Sequence, residues 1–307
     1  MEMRREKLGY ACVVSAAALW ASSGTISKLL FQEGISPLQL VQLRTTLSAA
    51  LLLVALVLRN PSSLKINRKD LRYFIWLGLS LATAQFTYFF AISRIYVAAA
   101  ILLQYLAPVF IAVYAVAFAK KSISFVMAAA ILGSLFGCYL MVGAYSLDLF
   151  QMNRAGIISG LVSAIAFASY TVMRERGAGI YRPWTLLFYA FLFAACVWNI
   201  LRPPLSAFFV EYRMSSWLAI FFICIFGTII PFALYNEGIR LVGSVRAGIT
   251  ATMEPVIAGI IAYFFLKEVM GLWQVAGAVI VIGSVASLQV NWRGQERSGS
   301  KNLIPKK

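Results

Sequence analysis

Blocks of about twenty apolar residues recur along the whole chain, and short segments between them carry most of its charges. A helix of that length spans the hydrocarbon core of a bilayer. Of the 307 residues, 61% are hydrophobic and only 12% are charged, a balance that is rare in a soluble domain of this size. The pattern therefore predicts an all-α polytopic membrane protein.

The apolar blocks predict ten transmembrane helices. These cover residues 8–30, 37–58, 71–92, 97–118, 123–145, 155–175, 182–201, 215–238, 244–266 and 271–291. The first block follows the charged start "MEMRREK" and has some features of a secretory signal. Its length and the further spans behind it favour a transmembrane helix instead.

The basic residues predict the orientation of the chain. Of the 27 lysines and arginines, twenty fall in segments on one side of the predicted membrane, six on the other, and Arg44 within the second span. Basic residues collect on the cytoplasmic side, so we expect a multi-pass protein of a bacterial cell membrane with both termini in the cytoplasm. Because these residues are spread between the spans, the net charge of +16 does not indicate nucleic acid as a partner.

The two halves of the chain resemble each other. Aligning "YLAPVFIAVYAVAFAKK" (105–121) with "TMEPVIAGIIAYFFLKE" (252–268) pairs Pro108 with Pro255 at an offset of 147. The same offset pairs Tyr88 with Tyr235. Five helices make one unit, so the second copy begins on the opposite side, and we predict two inverted five-helix repeats around a central cavity. The predicted segments are an N-terminus at 1–7, repeat 1 at 8–145, repeat 2 at 146–291 and a basic cytoplasmic tail at 292–307.

Inverted repeats favour transport by alternating access, because exchanging the conformations of the two copies converts an inward-facing state into an outward-facing one. Substrate sites in such folds lie near the midplane, at interrupted helices. Pro108 and Pro255 each remove a backbone N–H and free a carbonyl, so we interpret them as hinges that shape the site. The alternative is a kink that the membrane tolerates.

Polar and aromatic side chains within the spans predict a cavity for a small zwitterionic or amphipathic solute. For single Ser, Thr and Gln residues, hydrogen bonds between helices are an equally simple explanation. The candidate cavity residues are Trp20, Ser23, Gln85, Tyr88, Gln104, Tyr105, Tyr170, Tyr235 and Glu254.

Ionisable residues within the spans are the sharper signal, because a charge at the centre of a span is costly. Glu254 either binds the cationic group of a solute or carries a proton, or it partners a buried base, or the span ends are misplaced. Arg44 is interpreted as a snorkelling or helix-pairing residue. Lys28 and Arg174 lie near helix ends, and we expect them to anchor those ends at the membrane surface.

Several function classes are excluded or disfavoured by what the sequence lacks. It contains no histidine, its four cysteines fall in separate apolar blocks, and its two aspartates, Asp70 and Asp148, lie outside the spans. We therefore predict no catalytic residues, no metal site and no cofactor, which disfavours a membrane enzyme. No Walker motif is present, so the chain does not hydrolyse ATP by itself.

The chain resembles the EamA-type ten-helix exporters of the drug/metabolite transporter superfamily over residues 8–290. The resemblance rests on "ALWASSGTISKLL", Arg44, "YLAPVF", "SAIAFASYTVMRERG", "MEPVIAGIIAYFFLKE" and "GAVIVIGSV", in this order. It implies two inverted five-helix units around a central cavity and a role in export of amino acids, related metabolites or drugs.

Together these observations predict a secondary transporter whose partners are a small solute and the lipid bilayer, with proton coupling available and a monomer compatible with the sequence. The main alternative is a nucleotide-sugar or sugar-phosphate carrier of the same superfamily, whose polyanionic substrates Glu254 would repel unless protonated. A channel is a further alternative, although paired prolines in an inverted repeat favour alternating access.

Overall fold

The structure, a computed structural model, describes residues 2–146, 153–261, 263–264 and 270–301. The regular elements in these ranges are all helices. The α-helices are α1 (Glu2–Gln32), α2 (Pro37–Arg59), α3 (Leu71–Arg94), α4 (Val97–Gln104), α5 (Ala107–Ala117), α6 (Phe125–Met141), α7 (Arg154–Gly177), α8 (Pro183–Leu201), α9 (Met214–Cys224), α10 (Ile230–Val242), α11 (Ser244–Ala251), α12 (Met253–Ile261) and α13 (Leu272–Lys301).

Eight helical segments in the described ranges are long and apolar enough to cross a membrane, and the shorter apolar helix α6 adds to them. The chain is therefore an all-α polytopic membrane protein, as the sequence predicts. Helix α1 begins at Glu2, so the predicted N-terminal segment 1–7 is largely part of the first helix. The ninth predicted span, 244–266, covers α11 and α12 and runs past Ile261 into residues outside the described ranges.

Small residues let the helices approach closely. A Cβ atom on Gly137 of α6 would lie 2.8 Å from the carbonyl oxygen of Gly277 on α13, and one on Gly277 would lie 2.6 Å from the carbonyl oxygen of Gly137. The outward faces of the same bundle carry large apolar side chains, such as Phe125 at 86% and Leu132 at 67% exposure. A bilayer is the environment in which such a surface is stable.

Two helical segments are interrupted at positions that the offset of 147 relates. Helix α4 ends at Gln104 and α5 begins at Ala107, whereas α11 ends at Ala251 and α12 begins at Met253. Pro108 and Pro255 follow these breaks directly, and each lacks the N–H that would bond the carbonyl one turn earlier. The interruptions therefore lie where the offset of the two halves places them.

A third interruption takes the form of a wide helical turn. Residues Ile225–Ile229 between α9 and α10 are π-helical, and the N–H of Ile230 donates to the carbonyl of Ile225. Pro231 follows in the first turn of α10. Its α-helical partner would be the carbonyl of Gly227, which is therefore free to accept a hydrogen bond from elsewhere.

Candidate functional site

An aromatic group occupies the interior of the bundle between α1, α7 and α10. The ring of Trp20 lies 5.3 Å from the rings of both Tyr235 and Phe232, and Phe167 stacks on Tyr235 at 5.7 Å. Tyr170 packs edge-on against Phe232 at 5.9 Å. The structure thus brings together three residues that the sequence singled out, Trp20, Tyr170 and Tyr235. Phe167 and Phe232 were missed, although each lies three residues before one of these tyrosines, on the same helix face.

The two tyrosines of this group are fully buried and hydrogen-bonded. The hydroxyl of Tyr170 donates to Oδ1 of Asn236 at 3.2 Å, and the hydroxyls of Tyr235 and Thr171 are 3.3 Å apart. Trp20 keeps part of its surface accessible. The tyrosines therefore form the packed base of this group, and Trp20 lies at its open edge.

A second group forms around Glu254, in the first turn of α12. Tyr105, at the break between α4 and α5, lies beside the Glu254 carboxylate and interacts with it electrostatically. Tyr88 of α3 and Cys138 of α6 are the other ionisable neighbours of this carboxylate. The group therefore joins the interrupted helices of both halves of the chain.

Three residues in this region keep part of their surface accessible, although their helices place them near the middle of the spans: Glu254, Tyr88 and Gln104. Met253 packs against two hydrophobic clusters, one that contains Tyr105 and Cys138 and one that contains Tyr235. Met253 therefore links the part of the core around Tyr105 with the part around Tyr235.

Arg44 lies in the interior and does not reach a membrane surface. It is 8% exposed, its guanidinium donates to the carbonyl of Gly227 at 3.4 Å, and it lies 5.8 Å from the ring of Phe89. The accepting carbonyl is the one that Pro231 leaves free. Of the two interpretations from sequence, helix pairing describes this position and snorkelling does not.

Several predicted cavity residues serve contacts between helices in this structure. Ser23 packs against Gly227, where an added Cβ would lie 2.5 Å from the Ser23 Cβ. Gln104 hydrogen-bonds with the hydroxyl of Ser163, which also donates to the carbonyl of Ala84 at 2.9 Å. Gln85 is 8% exposed, and neither its amide oxygen nor its amide nitrogen has a hydrogen-bond partner in the described part of the chain.

Arg174 corrects one prediction from sequence. An anchoring residue extends its charge into the membrane surface, but Arg174 is 0% exposed, because α3 and α10 pack around the end of α7. The side chain of Lys28, the other predicted anchor, lies outside the described residues. Among the residues described, no group of three or more His, Cys, Asp and Glu side chains is arranged to hold a metal ion.

Contacts near one end of the bundle link the two halves of the chain. At the end where α1 begins, here called the N-terminal end, Glu175 of α7 accepts hydrogen bonds from Lys121 at 3.1 Å and from Ser244 at 2.7 Å. Arg176 hydrogen-bonds with the hydroxyl of Tyr114 on α5 and lies 5.1 Å from its ring centroid. These contacts, here called the latch, join α7 to α5 and α11.

Comparison with known proteins agrees with this architecture. The sequence pattern described as "EamA-like transporter family" matches residues 7–143 and again residues 154–289. The chain belongs to the EamA-like transporter family. It is 26% identical over 302 residues to the uncharacterized inner membrane transporter YicL of Salmonella typhimurium, covering 96% of this chain and 100% of that one. It is 29% identical over 288 residues to an uncharacterized transporter of Archaeoglobus fulgidus, covering 94% and 97% of the two chains.

A solved crystal structure shares the fold of this EamA-like protein. It superposes with a TM-score of 0.78 at 20% sequence identity and covers 94% of this chain and 98% of its own. Together with the family match, the helical spans identify a membrane transporter.

Proposed function

We propose that this EamA-like protein is a secondary transporter of the cell membrane that exports small amines or amino acids by alternating access. Both termini lie in the cytoplasm, as the distribution of basic residues favours. The observation that carries the proposal is the Glu254 carboxylate at the helix break, which lies beside Tyr105 and keeps part of its surface accessible. A carboxylate at this depth is costly, and it normally faces a partner or a water-filled cavity.

The surroundings of Glu254 favour a cationic solute. In the described part of the chain, Glu254 makes no ion pair with a lysine or arginine, so its charge is balanced only by a phenol and by the start of α12. Tyr88 and Trp20 add accessible aromatic surface, which attracts ammonium groups. A polyanionic nucleotide sugar would meet a repelling charge here.

Alternating access is supported by the paired interruptions. The breaks after Gln104 and after Ala251 are related by the same offset of 147 that pairs Pro108 with Pro255. The family pattern also matches the chain once in each half. With the latch joining the helices at the N-terminal end, the structure corresponds in our proposal to a state closed toward the cytoplasm. Release of the latch, with closure of the opposite end, gives the inward-facing state.

Coupling to protons follows from the chemistry of one carboxylate. Glu254 can hold an ammonium group when ionised or a proton when neutral, and it cannot do both at once. Exchange of the two at Glu254 would couple export to proton entry.

The test is transport in proteoliposomes. We expect the purified protein to move labelled amino acids or amines, and a proton gradient directed against the solute to accelerate that movement. Glu254→Gln should abolish the acceleration by the gradient. Glu211→Gln, at an exposed carboxylate between α8 and α9, is the matched control.

Two outcomes would overturn the proposal. If the panel moved only nucleotide sugars or sugar phosphates, the solute class would be wrong. If Glu254→Gln matched the unmodified protein at every pH, Glu254 would have a packing role alone.

A further inference from the structure

The guanidinium of Arg174 is buried without a hydrogen-bond acceptor. Its side chain is 0% exposed, and none of its three nitrogen atoms has a hydrogen-bond partner among the residues that the structure describes. A charged group in such a position is strongly unfavourable unless an acceptor joins it. The fold therefore keeps a strong donor at this point for a partner from outside the chain.

The neighbours of Arg174 do not accept hydrogen bonds from its guanidinium. The ionisable groups around it are Tyr170, Tyr73, Glu237 and Arg240. Glu237 is the only carboxylate of the four, and it accepts two hydrogen bonds from Arg240, one of them at 2.8 Å. The hydroxyl of Tyr73 donates to the carbonyl of Met173 at 2.7 Å.

Asn236, beside Tyr170, adds a second donor that has no hydrogen-bond partner in the described chain. Its Oδ1 accepts from the Tyr170 hydroxyl, whereas its Nδ2 has no partner in the described chain, and the residue is 0% exposed. Arg174 and Asn236 together present N–H donors and no free acceptor. Planar carboxylates match a guanidinium fork with two parallel hydrogen bonds, which makes them the best-fitting occupant.

We propose that Arg174 and Asn236 form an entry site for the carboxylate group of the transported solute, a proposal that rests on the export function above. The latch residues Glu175 and Arg176 follow Arg174 directly on α7, so releasing the latch frees the helix end that carries the guanidinium to move away from α3 and α10. The N-terminal end of the bundle is the cytoplasmic side in our orientation. An exported solute therefore meets this site before it reaches Glu254.

The entry site and Glu254 bind the solute one after the other. Tyr73 neighbours Arg174 and Tyr88 neighbours Glu254, and both tyrosines lie on the continuous helix α3. Their separation along that helix is about 22 Å at 1.5 Å per residue. A small amino acid is too short to span both, so its carboxylate is bound first and its ammonium group afterwards.

The first experiment measures binding without transport. The protein in lipid nanodiscs is titrated with acetate, with acetamide as the uncharged isostere and chloride at matched ionic strength. We expect acetate alone to raise the apparent midpoint of thermal unfolding, by about 2–4 °C near saturation. Asn236→Asp places a carboxylate beside Tyr170, one helical turn before Arg174, so it should raise the midpoint without acetate and remove the acetate response. A lowered midpoint with an intact acetate response would overturn the site.

The second experiment compares each amino acid with the amine formed by its decarboxylation, supplied on the face where the termini lie. Arg174→Lys keeps the charge and loses the fork, so we expect the half-saturating concentration of the amino acid to rise about tenfold while that of the amine stays unchanged. Equal effects on both solutes would contradict the proposal. If neither solute moves but acetate still stabilises the protein, the export function fails and the carboxylate site stands.

Discussion

Tyr105 and Glu254 are neighbours at the points where two helices, one from each half of the chain, are interrupted. The two side chains therefore connect the break between α4 and α5 with the break between α11 and α12.

Tyr105→Phe removes the hydroxyl beside the Glu254 carboxylate and keeps the aromatic ring. Because a hydrogen bond to a charged group contributes about 1.5–3 kcal/mol, loss of a hydroxyl that can donate to this carboxylate should lower transport by about tenfold or more. Initial rates in proteoliposomes at several pH values measure the effect. Tyr96→Phe, at a tyrosine that is 64% exposed, is the control and should behave as the unmodified protein.

Arg44→Lys removes the planar group that donates to Gly227 and lies by Phe89. We expect a loss of about 1.5–3 kcal/mol in the free energy of unfolding, since the carbonyl that Pro231 leaves free then loses a charged donor. Thermal or denaturant unfolding in detergent checks this. The control is Arg94→Lys, because Arg94 also lies over a ring, 5.3 Å from the Phe90 centroid, but on an exposed site.

Gly137→Ala places a methyl group 2.7 Å from Cγ2 of Val281 and 2.8 Å from the carbonyl oxygen of Gly277. Helices α6 and α13 must move apart, at a cost of about 1–3 kcal/mol. Unfolding of the variant should therefore begin at lower temperature. In Gly283→Ala the new methyl group meets no atom within 4 Å, so helix propensity should leave this control as stable or more stable.

Glu175→Gln weakens the latch, because the side chain loses its ion pair with Lys121. That pair is exposed, so we expect a change of only about 0.2–1 kcal/mol in favour of opening. Hydrogen exchange of the amides at the start of α11 should accelerate, by less than about tenfold. Lys120→Gln is the control beside it, and equal exchange in both variants would show that the ion pair does not hold this end closed.

The sequence predicted where helices lie and break better than which way their side chains face. Apolar length locates a span, and a proline marks the break directly. Ser159 and Ser163 fit a cavity stripe equally well, yet both donate to carbonyls of α3, at 2.9 Å in each case. The spacing of polar residues is the same for a face that lines a cavity and for one that pairs with another helix.

Neighbours across the bundle explain the remaining differences. Arg174 lies near a helix end, which is typical of an anchor, but the burial of that end depends on how α3 and α10 pack around it. Tyr88 and Tyr235 occupy equivalent positions in the two halves, yet one neighbours Glu254 and the other packs with Trp20. Equivalent spacing therefore does not give equivalent surroundings once the two halves differ in side chains.

The wide turn at Ile225–Ile229 also changes the free energy needed to bend the span made of α9 and α10. In an ordinary helix, a bend stretches several backbone hydrogen bonds on one side. Here the proline has already removed the bond to Gly227, and an arginine from another helix holds that carbonyl instead. Movement between α9 and α10 at this point therefore strains one long-range contact, the hydrogen bond from Arg44 to the carbonyl of Gly227. This contact connects the angle of the span to the position of α2.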